Sequence, residues 1–126
     1  MSRLVKNFTF KEMNITQLKE LNPEIVEFTI MIQELRNHLK IPLNVNSWKR
    51  SKTQNKKVGG SSNSAHLDGR AVDLKIIASD NTIKIWQQIC KNHGKIGGIN
   101  RYRTFTHFTD YESKFGFKRF VIRDYR

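Results

Sequence analysis

The sequence predicts an α+β fold in which a small, largely antiparallel sheet is flanked by two main helices. Two segments, 23–40 and 82–92, carry apolar residues every three or four positions, as a helix with one buried face does. Three others, 43–48, 71–77 and 103–109, alternate or nearly alternate apolar and polar residues, which is typical of half-buried strands. The resulting order of helices and strands is that of an α+β domain.

The N-terminal third is expected to contain the longer helix. Residues 6–13 begin with alternating aromatics and are predicted to dock as a short extended piece, and residues 16–21 could form one helical turn. Asn22 is suited to cap the long helix, with Pro23 at its first position. The helix should end before Pro42, because the helical conformation is disfavoured for the residue that precedes a proline.

The rest of the chain is expected to supply the second helix and the remaining strands. Residues 49–63 are polar and end in a Gly/Ser-rich run, which predicts a long, functional surface loop. Residues 79–81 can cap the second helix, and Gly94 suits the left-handed position that ends it. Residues 96–99, which contain two glycines, are expected to form a short segment that another part of the backbone can approach closely. A final strand is predicted over 115–122 and is expected to form a hairpin with the strand before it.

Composition narrows the possible classes of protein. The chain of 126 residues fits one domain, 1–126, without internal repeats, and it is long enough to bury a core without covalent staples. A single cysteine excludes an internal disulfide and a cysteine-rich zinc site. No apolar run is long enough for a membrane span, and the N-terminus lacks the apolar region of a secretory signal.

The net charge of +12 favours polyanionic partners such as nucleic acid, an anionic membrane or the acidic polymers of a bacterial envelope. The basic residues are dispersed, however, and no compact Lys/Arg run or basic helix concentrates them. A solvated basic surface is therefore the simpler interpretation, and we expect no specific nucleic-acid site. A nucleic-acid-binding function would require a steep salt dependence of affinity.

The segment 64–73, Ser-Ala-His-Leu-Asp-Gly-Arg-Ala-Val-Asp, has the chemistry of a metal site. His66 lies in a loop that enters a strand, and Asp73 falls on the face of that strand opposite Val72 and Leu74. His107, inside a later strand, is the candidate third ligand. Two imidazoles and a carboxylate suit a zinc site that keeps a fourth position open. An ordinary loop-to-strand junction with solvated polar residues is the alternative for this segment taken alone.

Several motifs together resemble the peptidase M15 family, the zinc D-alanyl-D-alanine carboxypeptidases and related phage endolysins, which share a fold with the Hedgehog signalling domain. The matching residues are Asn7-Phe8-Thr9, Val45-Asn46-Ser47, Arg50-Ser51, Asn55, Val58-Gly59-Gly60-Ser61, Ser64-x-His66-x-x-Gly69-x-Ala71-x-Asp73, Gly97-Gly98-Ile99, Tyr102 and Phe105-x-His107. They cover nearly the whole chain. The resemblance implies a Hedgehog/DD-peptidase-like fold.

The resemblance also implies the roles of particular residues. His66, Asp73 and His107 would be zinc ligands, although these three groups alone suit several divalent metals. Arg50 falls at the family arginine that grips a substrate carboxylate, as a guanidinium fork can do; otherwise it is one more surface cation. Ser64 matches the motif serine, which could bind substrate, orient a ligand or simply cap a loop.

The sequence departs from the family pattern where a catalytic base is expected. Family members usually carry an acid three or four residues before the third ligand, where this chain has Thr104 and Arg103. Asp110 could serve as the base if the strand carries a bulge; on a regular strand it would face away from His107. His93 and Glu112 are weaker candidates. Losing a positioned base would cost roughly 10²–10⁴-fold in rate.

These observations predict a zinc-dependent peptidase that hydrolyses a peptide bond of the peptidoglycan stem peptide. The alternative, motivated by the missing acid at positions 103 and 104, is a non-catalytic, zinc-stabilised peptidoglycan-binding module of a phage particle. The resemblance further suggests a monomeric, phage-encoded protein made in the bacterial cytoplasm, which acts at the cell wall or is carried in the virion.

Overall fold

The fold is known from a computed structural model that describes residues 3–111 and 119–126. The helices are α1 (Phe10–Met13), α2 (Pro23–Leu39), α3 (Lys52–Lys57) and α4 (Asp80–Asn92), with 3₁₀ turns at Leu18–Glu20 and Ala65–Asp68. The strands are β1 (Val45–Ser47), β2 (Ala71–Leu74), β3 (Gly98–Arg101), β4 (Thr106–Thr109) and β5 (Val121–Asp124). The predicted α+β class is confirmed.

The five strands form one mixed sheet in the order β1-β2-β4-β3-β5. Antiparallel pairing joins β1 to β2, β2 to β4 and β4 to β3, whereas β5 lies parallel to β3. The prediction of a largely antiparallel sheet is therefore confirmed, with one parallel pair at the edge.

The predicted hairpin between the last two strands is wrong. β5 pairs with β3 and not with β4, because β2 and β3 already occupy both edges of β4. The last strand therefore joins the sheet at an outer edge, that of β3. Residues 115–118 of the strand predicted over 115–122 lie outside the described residues, and the observed strand runs from Val121 to Asp124.

Both long helices form as the sequence predicts. Asn22 caps α2 by accepting a hydrogen bond from the amide of Ile25, and Ser79 caps α4 in the same way at Thr82. Gly94 has a φ of +69°, the left-handed conformation that suits glycine after a helix. None of the described helices is long and apolar enough to span a membrane.

Two short helices replace segments that were predicted without helix. Phe10–Met13 is helical rather than extended, since Thr9 and Glu12 form a reciprocal capping box. Lys52–Lys57 is helical within the predicted loop, and Ser51 and Gln54 form the same kind of box at its start. β3 also replaces the predicted short segment at residues 96–99, and the strands predicted over 43–48, 71–77 and 103–109 are each shorter than expected.

The core lies between one face of the sheet and the helices α2 and α4. Val72 and Phe108 on this face are fully buried, and the Trp86 ring of α4 packs edge-on against Phe108 with their centroids 5.7 Å apart. Phe28 of α2 meets Trp86 at 6.0 Å in the same geometry. The core therefore fixes which side chains of each strand point to the opposite face.

Candidate metal centre

Asp73 and His107 meet across the antiparallel pair of β2 and β4. They are direct partners in the register, next to the pair formed by Val72 and Phe108. Since successive side chains of a strand alternate between faces, the burial of Val72 and Phe108 against the helices turns Asp73 and His107 to the other face. Nδ1 of His107 lies 2.9 Å from Oδ1 of Asp73.

His66 reaches the same carboxylate from the 3₁₀ turn Ala65–Asp68. The turn is capped by the Ser64 side chain, which accepts from the amide of His66, and it ends at Gly69 with a φ of +70°. The amide of Arg50 donates to the carbonyl of His66 at 2.8 Å, which ties the turn to the chain that follows β1. Nε2 of His66 thereby lies 3.2 Å from Oδ1 of Asp73.

One ligand atom from each of His66, Asp73 and His107 lies within 4.8 Å of the other two, so the three side chains could hold a metal ion. The two imidazole rings are 5.0 Å apart between centroids, at an interplanar angle of 65°. His66 is almost fully buried, and the other two side chains are 9% and 16% exposed. The structure thus brings together the three residues that the sequence predicted as ligands.

The hydrogen bonding of His66 fits a metal ligand. Its Nδ1 lies 2.6 Å from the carbonyl oxygen of Trp48, which can only accept, so Nδ1 carries a hydrogen. In the neutral ring Nε2 then presents a lone pair toward a carboxylate oxygen, and two acceptors face each other. A cation between them would relieve this opposition, and outer contacts of this kind commonly fix the tautomer of a ligating histidine.

The charge state of Asp73 suits the same role. Burial by itself raises the pKa of this carboxyl, but in the metal-free chain the hydrogen bonds and positive charge that His107 and His66 supply when protonated outweigh burial and leave the pKa well below its usual range. Asp73 is therefore ionised at neutral pH. An ionised carboxylate is the form that binds a divalent cation.

Arg50 lies directly beside this carboxylate. Its guanidinium contacts Oδ2 of Asp73 at 3.3 Å, Oγ of Ser47 at 3.0 Å and Oδ1 of Asn55 at 3.3 Å. Asn55 is buried and donates to the carbonyl of Ser61 at 2.8 Å. The side chain of Arg50 is thus held in one direction by neighbours from β1, α3 and the loop after α3.

A cavity of about 630 Å³ opens over the cluster. His66, Asp73 and His107 form part of its wall together with Arg50 and Ser64. The loop 59–65 borders one side, and residues of β3, β4 and β5, together with four aromatic residues just outside these strands, line the other. The three candidate ligands are accordingly reachable from solvent through a space that a short peptide segment can enter.

Asp110 is not brought to this cavity. It is fully buried, its Oδ1 accepts from Nε of Arg70 at 2.9 Å, and its Oδ2 has no hydrogen-bond partner. Burial raises the pKa of this carboxyl, against the lowering effect of Arg70. Its neighbour Thr109 lines the cavity instead.

The other positions considered for a base are also elsewhere. Arg103 and Thr104 are exposed and do not line the cavity. His93 lies at the end of α4, where it contacts Glu27 and Glu34 of α2. Glu112 lies outside the described residues.

A family sequence model described as Peptidase M15 matches residues 5–109. The chain belongs to the peptidase M15 family. Comparison with curated proteins found no significant match. Membership identifies a hydrolase that acts on peptides, and the match includes the three candidate ligands, Arg50 and Ser64. β5 lies beyond the matched residues.

Sequence reasoning did not assign three groups that the structure adds to the site. The carbonyl of Trp48 orients His66, and Asn100 and Arg123 line the cavity from β3 and β5. The contact from Trp48 is made by a backbone carbonyl, which every residue has, so no side-chain pattern in the sequence indicates it. The other two positions depend on the pairing of β3 with its neighbours, which alternation along a single strand does not reveal.

Proposed function

We propose that this member of the M15 family is a zinc-dependent peptidase that hydrolyses a peptide bond of the peptidoglycan stem peptide, as a D-Ala-D-Ala carboxypeptidase or an endolysin does. The observation that carries the proposal is the cluster of His66, Asp73 and His107 at the wall of an open cavity. Its action would be at the bacterial cell wall.

The donor set supports zinc as the metal. Two neutral imidazole nitrogens and one carboxylate oxygen are a common protein contribution to a catalytic zinc site, which leaves a position for water or substrate. Zinc supplies Lewis acidity toward a carbonyl and a nucleophilic water at neutral pH. The chain's own part is to hold the three ligands in fixed directions, which Trp48 does for His66 and the β2–β4 register does for the other two.

Arg50 is proposed to bind a carboxylate of the substrate. It lines the cavity next to the cluster, and its side chain is 16% exposed. Its contacts with Ser47 and Asn55 hold the guanidinium in place, so less conformational freedom is lost when a carboxylate binds. Ser64, partly exposed at the cavity wall, is proposed to hydrogen-bond the substrate backbone while it caps the turn of His66.

The proposal is tested with the zinc-loaded full chain on purified peptidoglycan and on synthetic stem peptides. We expect release of D-Ala or of a cleaved stem peptide, and loss of this activity in His66→Ala. The exposed histidine of α2 provides the matched control, His38→Ala, which should retain activity. A zinc-loaded chain that cleaves none of these substrates would overturn the proposal.

One observation favours a second candidate, a non-catalytic zinc-stabilised module of a phage particle that binds peptidoglycan. Among the described residues that line the cavity, Asp73 is the only carboxylate, and it is already a candidate ligand. This candidate predicts zinc content and cosedimentation with peptidoglycan but no cleavage. Any turnover that disappears in His66→Ala would exclude it.

A further inference from the structure

A row of polar side chains crosses the sheet on the face opposite the core. The register aligns Ser47 with Asp73, Asp73 with His107, His107 with Asn100, and Asn100 with Arg123, on five adjacent strands. Side chains of directly paired residues point to the same face of a sheet. The candidate metal ligands therefore sit in the middle of a row that ends, at the β5 edge, in an arginine.

Arg123 shares the cavity with the cluster. It lines the same space as His107 and Asn100, and its side chain is partly exposed. Arg50 and Arg123 are the two arginines among the described lining residues. Arg50 contacts Ser47 at the β1 end of the row, and Arg123 lies on β5 at the other end. With Asp73 as the only carboxylate in that lining, the cavity is suited to an anionic substrate.

β5 is anchored firmly enough to place this arginine. The amide of Val121 donates to the carbonyl of Gly97 at 3.2 Å, and that of Tyr125 donates to the carbonyl of Arg101 at 2.8 Å. The ring of Tyr125 stacks on Tyr102 with their centroids 5.1 Å apart. These contacts hold the strand on both sides of residue 123.

The geometry points to Arg123 as a specificity-determining residue that binds a substrate carboxylate on the side of the cleaved bond opposite Arg50. This inference rests on the proposed peptidase function and names the substrate class: an acidic peptide with a carboxylate on each side of the bond. Arginine suits the task, because its planar fork binds a carboxylate through two hydrogen bonds.

The spacing matches a short peptide. Three strand-to-strand steps separate Asp73 from Arg123, or roughly 14 Å between their backbones at the usual spacing of a sheet. An extended peptide advances about 3.3 Å per residue, so this distance corresponds to about four residues. Because the long side chain of Arg123 covers part of this distance, a pentapeptide whose terminal carboxylate lies at Arg50 can place an acidic residue two or three positions earlier near Arg123.

The stem peptide offers two sources of such a carboxylate: the α-carboxylate of D-isoglutamate at position 2, and the side-chain carboxylate of meso-diaminopimelate at position 3. Amidation removes the first, and lysine in place of diaminopimelate removes the second. Four synthetic pentapeptides of the same length, which combine these two choices, therefore separate the two sources.

The test compares the wild type with Arg123→Gln, Arg123→Lys and the control Arg119→Gln, which removes an exposed arginine outside the cavity. We expect Arg123→Gln to lower kcat/KM by about 10- to 100-fold on peptides that keep the recognised carboxylate, as the loss of a charge-assisted hydrogen bond does. On the peptide that lacks this carboxylate, Arg123→Gln should have the same kcat/KM as the wild type. Arg123→Lys should lose less, and the control should lose nothing.

Calorimetric binding of the same peptides separates this inference from the proposed function. Carboxylate-dependent binding that disappears in Arg123→Gln, without cleavage by the wild type, would support Arg123 and reject the peptidase. Equal losses on all four peptides would assign Arg123 a structural role and overturn the inference. An unchanged preference in Arg123→Gln would overturn it as well.

Discussion

Nδ1 of His66 lies 2.6 Å from the carbonyl oxygen of Trp48, so a candidate metal ligand is oriented by a residue of the core. The indole ring of Trp48 packs edge-on against Phe8 and Phe28, with centroids 5.6 and 5.9 Å away. Packing of the core therefore fixes the backbone that fixes the ligand. His107 has a different support, since its place in β4 and its contacts with Asp73 and the ring of His66 direct it.

This difference predicts distinct effects for two ligand substitutions. Both His66→Ala and His107→Ala should weaken zinc binding by at least about 100-fold, more than the 10- to 100-fold typical of losing an outer contact. Only His66→Ala should also destabilise the metal-free chain, by about 1–3 kcal/mol, because it leaves the buried Trp48 carbonyl without its partner. Competition with a chromophoric chelator and denaturant unfolding measure the two effects.

The control for both variants is His38→Ala, which removes an exposed histidine of α2 and should change neither quantity appreciably. Wild-type zinc affinity in His107→Ala would show that the cluster is not the metal site. Equal destabilisation of the two metal-free variants would contradict the assigned role of the Trp48 carbonyl.

A second prediction concerns the loop that positions Arg50. A Cβ at Gly60 would lie 2.1 Å from Oδ1 of Asn55, the atom that accepts from Arg50. Gly60→Ala should therefore displace Asn55 and raise KM by about 10-fold for substrates with a terminal carboxylate, while zinc binding stays unchanged. The expected size is that of one weakened charge-assisted hydrogen bond. Steady-state kinetics and zinc titration provide the measurements.

The neighbouring glycine supplies a matched comparison. A Cβ at Gly59 meets nothing within 4 Å, but the residue has a φ of +70°. Gly59→Ala should cost about 1–2 kcal/mol of stability through left-handed backbone strain and leave KM near the wild-type value. The explanation fails if the two alanine variants raise KM equally.

Much of the site could be predicted from sequence because its signals are local. Asp73 is assigned to the polar face by the alternation around Val72 and Leu74, and His107 is placed in a strand by the same pattern. Asn22 and Pro23 likewise mark the start of α2, because Asn22 caps the helix and Pro23 fixes φ, and both effects act within the first turn. Each of these predictions needed only a few neighbouring residues.

The rest depends on contacts between distant segments. β3 begins with glycine and has one apolar residue, Ile99, facing the core, so its sequence lacks the alternation of a strand. The parallel position of β5 beside β3 depends on pairing between distant segments, and this is a property of the assembled sheet. Arg123 could not be assigned to the cavity before that pairing was known.

A third prediction concerns pH and the contact between α4 and α2. His93 lies 3.1 Å from Glu27 and 2.9 Å from Glu34, and Lys95 lies 3.1 Å from Glu27. Burial lowers the pKa of His93, but the two glutamates outweigh it and the net pKa is raised. Because the pKa of His93 is higher in the folded state, the contact stabilises the fold fully below the unfolded-state pKa of about 6.5. This stabilisation is lost as the pH rises through the folded-state pKa.

His93→Gln should therefore be less stable than the wild type by about 0.5–1 kcal/mol near pH 5.5, a size typical of partly exposed ion pairs. The difference should shrink steadily above pH 7. Denaturant unfolding of both chains across this range tests it, with His38→Gln as the control on the same helix pair. A difference that grows with pH would have the wrong sign for this contact.

A fourth prediction concerns Asp110, the residue that could serve as the catalytic base only if its strand carried a bulge. Because it is fully buried against Arg70 and does not line the cavity, we expect Asp110→Asn to destabilise the fold by about 1–3 kcal/mol, as weakening a buried, charge-assisted hydrogen bond does. Per folded molecule, kcat should stay within a few-fold of the wild type. Arg70→Gln, which removes the other partner, should behave in the same way. A 10²–10⁴-fold fall in kcat with unchanged unfolding, confined to Asp110→Asn, would instead identify Asp110 as the base.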